Sequence, residues 1–167
     1  MASLTFRYNS KYNKIPHYVI KRNGEVLQLL SNQVYSNYFE DVITNKLSIV
    51  ITLENLGWLE KKPLTNHYLN WKGSIYNQQV YEKKWRDYYF WQPYTVEQIE
   101  IVAELCKYLT DTLHIEKTCV GHNTKVDGIK NFEGICSRSN FNSTFTDLNP
   151  SFNFETFIKF LGNEQFA

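Results

Sequence analysis

The sequence predicts an α/β fold, with a mixed central β-sheet flanked by helices, in a single domain spanning residues 1–167. Three observations lead to this prediction: a hairpin signature near the start, a β-branched run at residues 48–54, and two later segments with helical spacing. Strands and helices therefore alternate along the chain, which is typical of the α/β class. A chain of this length can bury a core of ordinary size.

Residues 17–30 (HYVIKRNGEVLQLL) predict a β-hairpin. Two β-prone runs flank Arg22-Asn23-Gly24, and Asn-Gly favours a tight hairpin turn because both residues tolerate positive φ. Residues 48–54 (SIVITLE) form a nearly continuous β-branched run, which is typical of a strand buried on both faces.

Residues 57–94 are rich in aromatic side chains and have no clear periodicity, so they predict a long irregular segment. Such a segment inside a compact domain is either a functional lid or a packed excursion. The whole chain holds 12 Tyr, 11 Phe and 4 Trp. These rings favour an aromatic core, and a ring-lined groove is an alternative that can coexist with it.

The clearest predicted helix begins after Thr95, which forms a capping box with Gln98. Apolar residues follow at helical spacing, and Cys106 lies on that stripe as a predicted core residue. Residues 117–121 (KTCVG) predict a short strand that ends at His122. A second helix is predicted over residues 154–161, after the helix breaker Pro150.

Composition excludes several classes of protein. Eighteen basic and 17 acidic residues give a net charge of +1 without a long basic run, so we predict no nucleic-acid partner. The three cysteines form no Cys-x-x-Cys pair, which argues against a disulfide framework and favours a reducing compartment. No apolar stretch approaches the roughly 20 residues of a membrane span, and the first residues lack a signal-peptide segment.

Three residues stand at positions where a sheet can direct side chains toward one point: Glu54 at the end of a strand, His122 after another strand, and Asp147 in the loop before the last helix. A catalytic zinc ion needs three protein ligands and an open position for water. Each residue also has an ordinary reading, as a solvated Glu, a structural His or an N-cap Asp. No compact motif such as His-Glu-x-x-His is present.

The order of several short blocks resembles the zinc-dependent N-acetylmuramoyl-L-alanine amidases, which are similar in fold to the peptidoglycan recognition proteins and phage amidase-type lysozymes. The blocks lie between about residues 15 and 160: His17-Tyr18-Val19-Ile20, Arg22-Asn23-Gly24, Gln28-Leu29, residues 49–54, Tyr94-Thr95, Gln98, Val120-Gly121-His122, Thr146-Asp147 and Pro150-Ser151-Phe152. Residues 131–140 are similar to a segment found in phage and Bacteroidetes-type members.

The resemblance implies the roles of particular residues. His122 matches the second zinc histidine, Asp147 matches the final zinc ligand, and Glu54 matches the carboxylate that orients or deprotonates the attacking water. The resemblance also implies a groove with zinc at its bottom, where the muramyl peptide of peptidoglycan binds. Arg138 is a candidate for binding a carboxylate of that substrate, its ordinary reading being a solvated charge or a backbone brace.

The sequence departs from the family pattern at the first zinc histidine, because no His precedes His17. The basic residue often found two positions before the last ligand is replaced by Phe145. Three explanations stay open: an opening strand supplied from elsewhere, His67 or His17 as a substitute ligand, or an amidase-like fold kept for binding or structure.

The resemblance therefore predicts a peptidoglycan hydrolase that cleaves the amide between N-acetylmuramic acid and L-alanine with zinc-activated water. The alternative is an inactive amidase-like module that binds peptidoglycan or serves in a phage particle. We expect synthesis in the cytoplasm and action at the cell wall through lysis or virion delivery. A phage or host protein is a further candidate partner.

Overall fold

The computed structural model describes residues 14–162. The chain divides after Glu54 into two compact units. Helices are combined with a mixed β-sheet, so the predicted α/β class is confirmed. The single domain predicted for residues 1–167 stays a prediction. Within residues 14–162, no helix has the length and apolar character needed to cross a membrane.

The first unit contains a three-stranded mixed sheet of β1 (Tyr18–Ile20), β2 (Val26–Gln28) and β3 (Ile51–Leu53). Strand β1 lies in the middle, antiparallel to β2 and parallel to β3. The predicted hairpin is confirmed, and Gly24 adopts a φ of 83° in its turn. Strand β3 is half-buried, whereas the sequence predicted burial on both faces. A short helix α1 (Val42–Lys46) precedes it.

The second unit contains a five-stranded antiparallel sheet where the sequence predicted an irregular segment. Its strands are β4 (Trp58–Lys61), β5 (Tyr68–Leu69), β6 (Ile75–Tyr76), β7 (Tyr81–Trp85) and β8 (Tyr88–Trp91), in the order β6-β5-β4-β8-β7. That prediction was wrong because the strands are short and their alternation is hidden by aromatic residues on both faces. The rings pack on each other across the sheet, as in the stacked pair Trp58 and Tyr88 with centroids 4.7 Å apart. Trp91 is fully buried, so the aromatic core is real.

Two longer helices pack against each other in this unit: α2 (Val96–Leu113) and α3 (Phe154–Leu161). The capping box of Thr95 with Gln98 is present, and α3 has the predicted bounds. Cys106 is buried on the apolar side of α2, as expected.

The strand predicted at residues 117–121 was wrong. Cys119 and Ile135 form an isolated parallel bridge there, with Val120 N donating to Ile135 O at 3.0 Å. The bridge ends after these few contacts because the chain enters loops on both sides. Two 3-10 turns follow, at Ile129–Asn131 and Arg138–Asn140.

Candidate functional site

His122 lies in an exposed loop directly after the bridge at Cys119. Its ring atom Nδ1 accepts a hydrogen bond from Thr124 N at 3.3 Å and lies 2.9 Å from Thr124 Oγ1. A backbone N–H can only donate, so this contact assigns Nδ1 of a neutral ring as the acceptor and leaves the proton on Nε2. A histidine that binds a metal through Nε2 normally directs its other nitrogen, as a donor, to a carboxylate or carbonyl. His122 shows the opposite arrangement.

Asp147 lies in an exposed part of the loop before α3 and forms an ion pair with Arg138. Its Oδ2 atom accepts a hydrogen bond from Arg138 Nη1 at 2.9 Å. The guanidinium group of Arg138 also lies over the ring of Phe145, 3.9 Å from its centroid. The cationic group of Arg138 therefore lies at Phe145, the residue that replaces the basic side chain often found two positions before the last ligand.

Hydrogen bonds hold the loops of His122 and Asp147 side by side. The Nδ2 atom of the fully buried Asn140 donates to His122 O at 2.9 Å and to Thr124 O at 2.7 Å. Asn123 Nδ2 donates to Leu148 O at 3.0 Å. The structure thus brings together the segments that carry His122 and Asp147.

Asn140 is a residue that the sequence reasoning missed. Its Oδ1 atom accepts from Ser137 N at 2.7 Å, which forms a capping box on the 3-10 turn Arg138–Asn140. A Ser followed three residues later by Asn is the available sequence signal, although it is weak because a short turn lacks helical periodicity.

Glu54 directly follows β3 in the first unit and is exposed, as its position at a strand end predicted. Its Oε2 atom accepts a hydrogen bond from Arg22 N at 3.2 Å, and its own N–H donates to Ile20 O at 2.8 Å. The hairpin turn and the end of β3 are joined by these contacts.

His17 is fully buried in the first unit and is bound to the backbone through both ring nitrogens. Its Nδ1 atom accepts from Val50 N at 2.9 Å, and Nε2 donates to Val34 O at 2.9 Å. A histidine with both nitrogens engaged in this way has no lone pair for a metal. His17 is therefore excluded as a substitute ligand, whereas His67 is exposed before β5.

A second arginine reaches the loop that precedes Asp147 and was not singled out from the sequence. Arg86 occupies the turn between β7 and β8 with a φ of 55°, and its guanidinium group lies 4.4 Å from the ring centroid of Trp85. Burial lowers the pKa of Arg86, and the charge of Asp147 partly offsets this effect. Its Nη1 atom donates to Asn142 O at 3.4 Å.

The two buried thiols, Cys106 and Cys119, are not nucleophiles at neutral pH. Burial raises the pKa of Cys106 to about 12 and also raises the pKa of Cys119. Because the thiolate is the reactive form, these thiols are inert near neutral pH.

Comparison with protein families gives one match. A model of the N-acetylmuramoyl-L-alanine amidase family matches residues 2–134, which is most of the chain. The chain belongs to this family. Its function is therefore of the peptidoglycan amidase type. No curated protein and no solved structure matched the chain.

The region matched by the amidase family includes Glu54 and His122 and ends before Arg138 and Asp147. The family match therefore supports the comparison with amidases for the segments of Glu54 and His122. The pairing of Arg138 with Asp147 is a property seen in this chain's own structure.

Zinc is the metal ion that the resemblance implies for this amidase-family chain. Among residues 14–162, no group of three or more His, Cys, Asp or Glu side chains could hold a metal ion. Residues 1–13 contain none of these four residue types. Asp147 is committed to Arg138, and Nδ1 of His122 faces a donor. A catalytic zinc needs three protein ligands, so the described residues do not fit this ion.

Proposed function

We propose that this amidase-family chain hydrolyses peptidoglycan at the amide between N-acetylmuramic acid and L-alanine. The observation that carries the proposal is the family match over residues 2–134, which includes both Glu54 and His122. The hydrogen bonds that join the His122 loop to the Asp147 loop support it further, since an active site needs its polar side chains held on neighbouring segments.

The roles proposed for this chain's own residues follow from their chemistry. Glu54 is an exposed carboxylate and is the candidate to orient or deprotonate the attacking water. Arg138 is the candidate to bind a carboxylate of the substrate. Zinc is the cofactor that the family resemblance implies, with His122 and Asp147 as candidate ligands, although these two residues do not hold it by themselves.

The setting that we propose is a phage or bacterial lytic enzyme, acting at the cell wall after synthesis in the cytoplasm. The similarity of residues 131–140 to a segment of phage and Bacteroidetes-type amidases supports this setting. A phage or host protein is a candidate partner in the same proposal.

The test is release of stem peptides from purified peptidoglycan sacculi, measured as new L-alanine amino termini, with zinc added and with zinc chelated. We expect release by the unmodified protein and a loss of at least about 100-fold in Glu54→Ala, because removing a general base costs about this much. Glu60→Ala is the matched control, since Glu60 is also an exposed strand carboxylate. Intact muropeptides after incubation with zinc-loaded protein would refute hydrolysis.

A second candidate function is an inactive amidase-like module that binds peptidoglycan or serves in a phage particle. The observation in its favour is that Asp147 is occupied by Arg138 and that no three-ligand group lies among residues 14–162. Such a module co-sediments with sacculi and releases no peptide. A zinc-dependent release of stem peptides excludes it.

A further inference from the structure

The charges around the ion pair of Arg138 and Asp147 favour an anion. Arg138 Nη1 donates a hydrogen bond to Asp147 Oδ2 at 2.9 Å. Arg86 reaches the same loop, where its Nη1 atom donates to Asn142 O at 3.4 Å. Phe145, whose ring contacts Arg138, also donates its backbone N–H to Asn142 O, at 3.2 Å. Two guanidinium groups and one carboxylate sum to +1, and such a set attracts an anion.

Arg86 has most of its donor capacity left. A guanidinium group carries five N–H donors, and within residues 14–162 Arg86 makes one hydrogen bond, the long contact of 3.4 Å to Asn142 O. The side chain is half-buried and forms no ion pair with any of residues 14–162, so the hydration that it loses is not replaced by an ionic contact there. A ligand carboxylate can supply that partner through two parallel hydrogen bonds.

Both guanidinium groups are oriented by an aromatic ring. Trp85 lies beneath Arg86 and Phe145 lies beneath Arg138, at 4.4 Å and 3.9 Å from the ring centroids. Contact with a ring restricts the guanidinium group and so lowers the entropy lost when a planar partner binds. The two-residue turn between β7 and β8 further restricts Arg86.

We infer that Arg86, together with Arg138, forms a binding site for a carboxylate of the stem peptide of the peptidoglycan ligand. This inference rests on the proposed function for the ligand, and it applies to a hydrolase and to a binding module alike. The site lies on the β7–β8 turn and the loop of Arg138. Arg86 is thus a specificity residue that discriminates a free carboxylate from an amidated one.

The test is calorimetric titration with N-acetylmuramyl-L-alanyl-D-glutamate and with the same compound carrying both glutamate carboxyls as amides. We expect the free acid to bind the unmodified protein at least about tenfold more tightly, as one charge-assisted hydrogen-bonded pair contributes about this factor. Arg86→Gln should remove that preference. Lys83→Gln, the same charge change at an exposed position on the same hairpin, should keep it.

The outcomes separate this inference from the proposed function. Equal affinity for the acid and the diamide, or a preference that persists in Arg86→Gln, overturns the carboxylate site and leaves peptidoglycan as the ligand. If neither compound binds, the result contradicts the proposed ligand and, with it, the carboxylate site. Circular dichroism of Arg86→Gln establishes that the variant is folded before the titrations are compared.

Discussion

Two histidines of this chain have opposite surroundings, although both follow or begin a β-element. His17 is fully buried, and both ring nitrogens are bound to backbone groups. His122 is exposed, and its Nδ1 atom contacts only Thr124 among the described residues. The comparison teaches that the hydrogen-bond partners of an imidazole, more than its place in a motif, separate a structural histidine from one available for chemistry.

The largest effect is expected from His17→Ala. The substitution opens a cavity and leaves the Val50 N–H and the Val34 carbonyl without their partner, so the free energy of unfolding should fall by about 4 kcal/mol. Urea denaturation measures the loss. His67→Ala, at an exposed position, is the control and should change stability by less than about 0.5 kcal/mol. If the two variants are equally stable, His17 is not a structural histidine.

The reverse pattern is expected for His122→Ala. Its ring is exposed, so stability should change by less than about 0.5 kcal/mol. Release of stem peptides should fall by at least about 100-fold if His122 acts in the proposed reaction. Activity that survives in a folded His122→Ala protein removes this residue from the mechanism and makes the two histidines alike in lacking a catalytic role.

Asn140→Ala tests whether the His122 loop has its own buried anchor. The variant leaves the carbonyl groups of His122 and Thr124 without the amide that binds them, so we expect a loss of about 2 kcal/mol in unfolding free energy. The exposed Asn66→Ala is the control. A neutral Asn140→Ala would mean that the loop is held by other contacts.

A small effect on stability is also expected from Asp147→Asn. The ion pair with Arg138 is partly exposed, and such pairs contribute less than about 1 kcal/mol. Removing this carboxylate should nevertheless raise the affinity for N-acetylmuramyl-L-alanyl-D-glutamate severalfold, because the ligand no longer competes with it. Weaker binding by Asp147→Asn would contradict an anion site at these arginines. The same titration on Asp127→Asn serves as the control, since Asp127 is exposed on a neighbouring loop.

The parts of the fold that could be predicted from the sequence depend on contacts between near neighbours. The Arg22-Asn23-Gly24 turn and the Thr95 capping box are encoded within four residues, and both are confirmed. Strands β4 and β8 pair across about 30 residues, with Trp58 opposite Trp91. No local pattern predicts such a pairing, so the sheet was expected as an irregular segment.

Like the fold, the candidate site could be predicted from the sequence only in part. The order of the sequence blocks identified the segments of His122 and Asp147, and the structure holds these segments together. Asn140 and Arg86 could not be selected, because their importance depends on partners that are distant in sequence, such as His122 O at 18 residues from Asn140.

The side-chain amide of Asn140 holds the loop around His122 through hydrogen bonds to the carbonyl groups of His122 and Thr124. Because these contacts run from a side-chain amide to backbone carbonyl groups, exhaustive treatment with EDTA should leave the melting temperature of the protein unchanged.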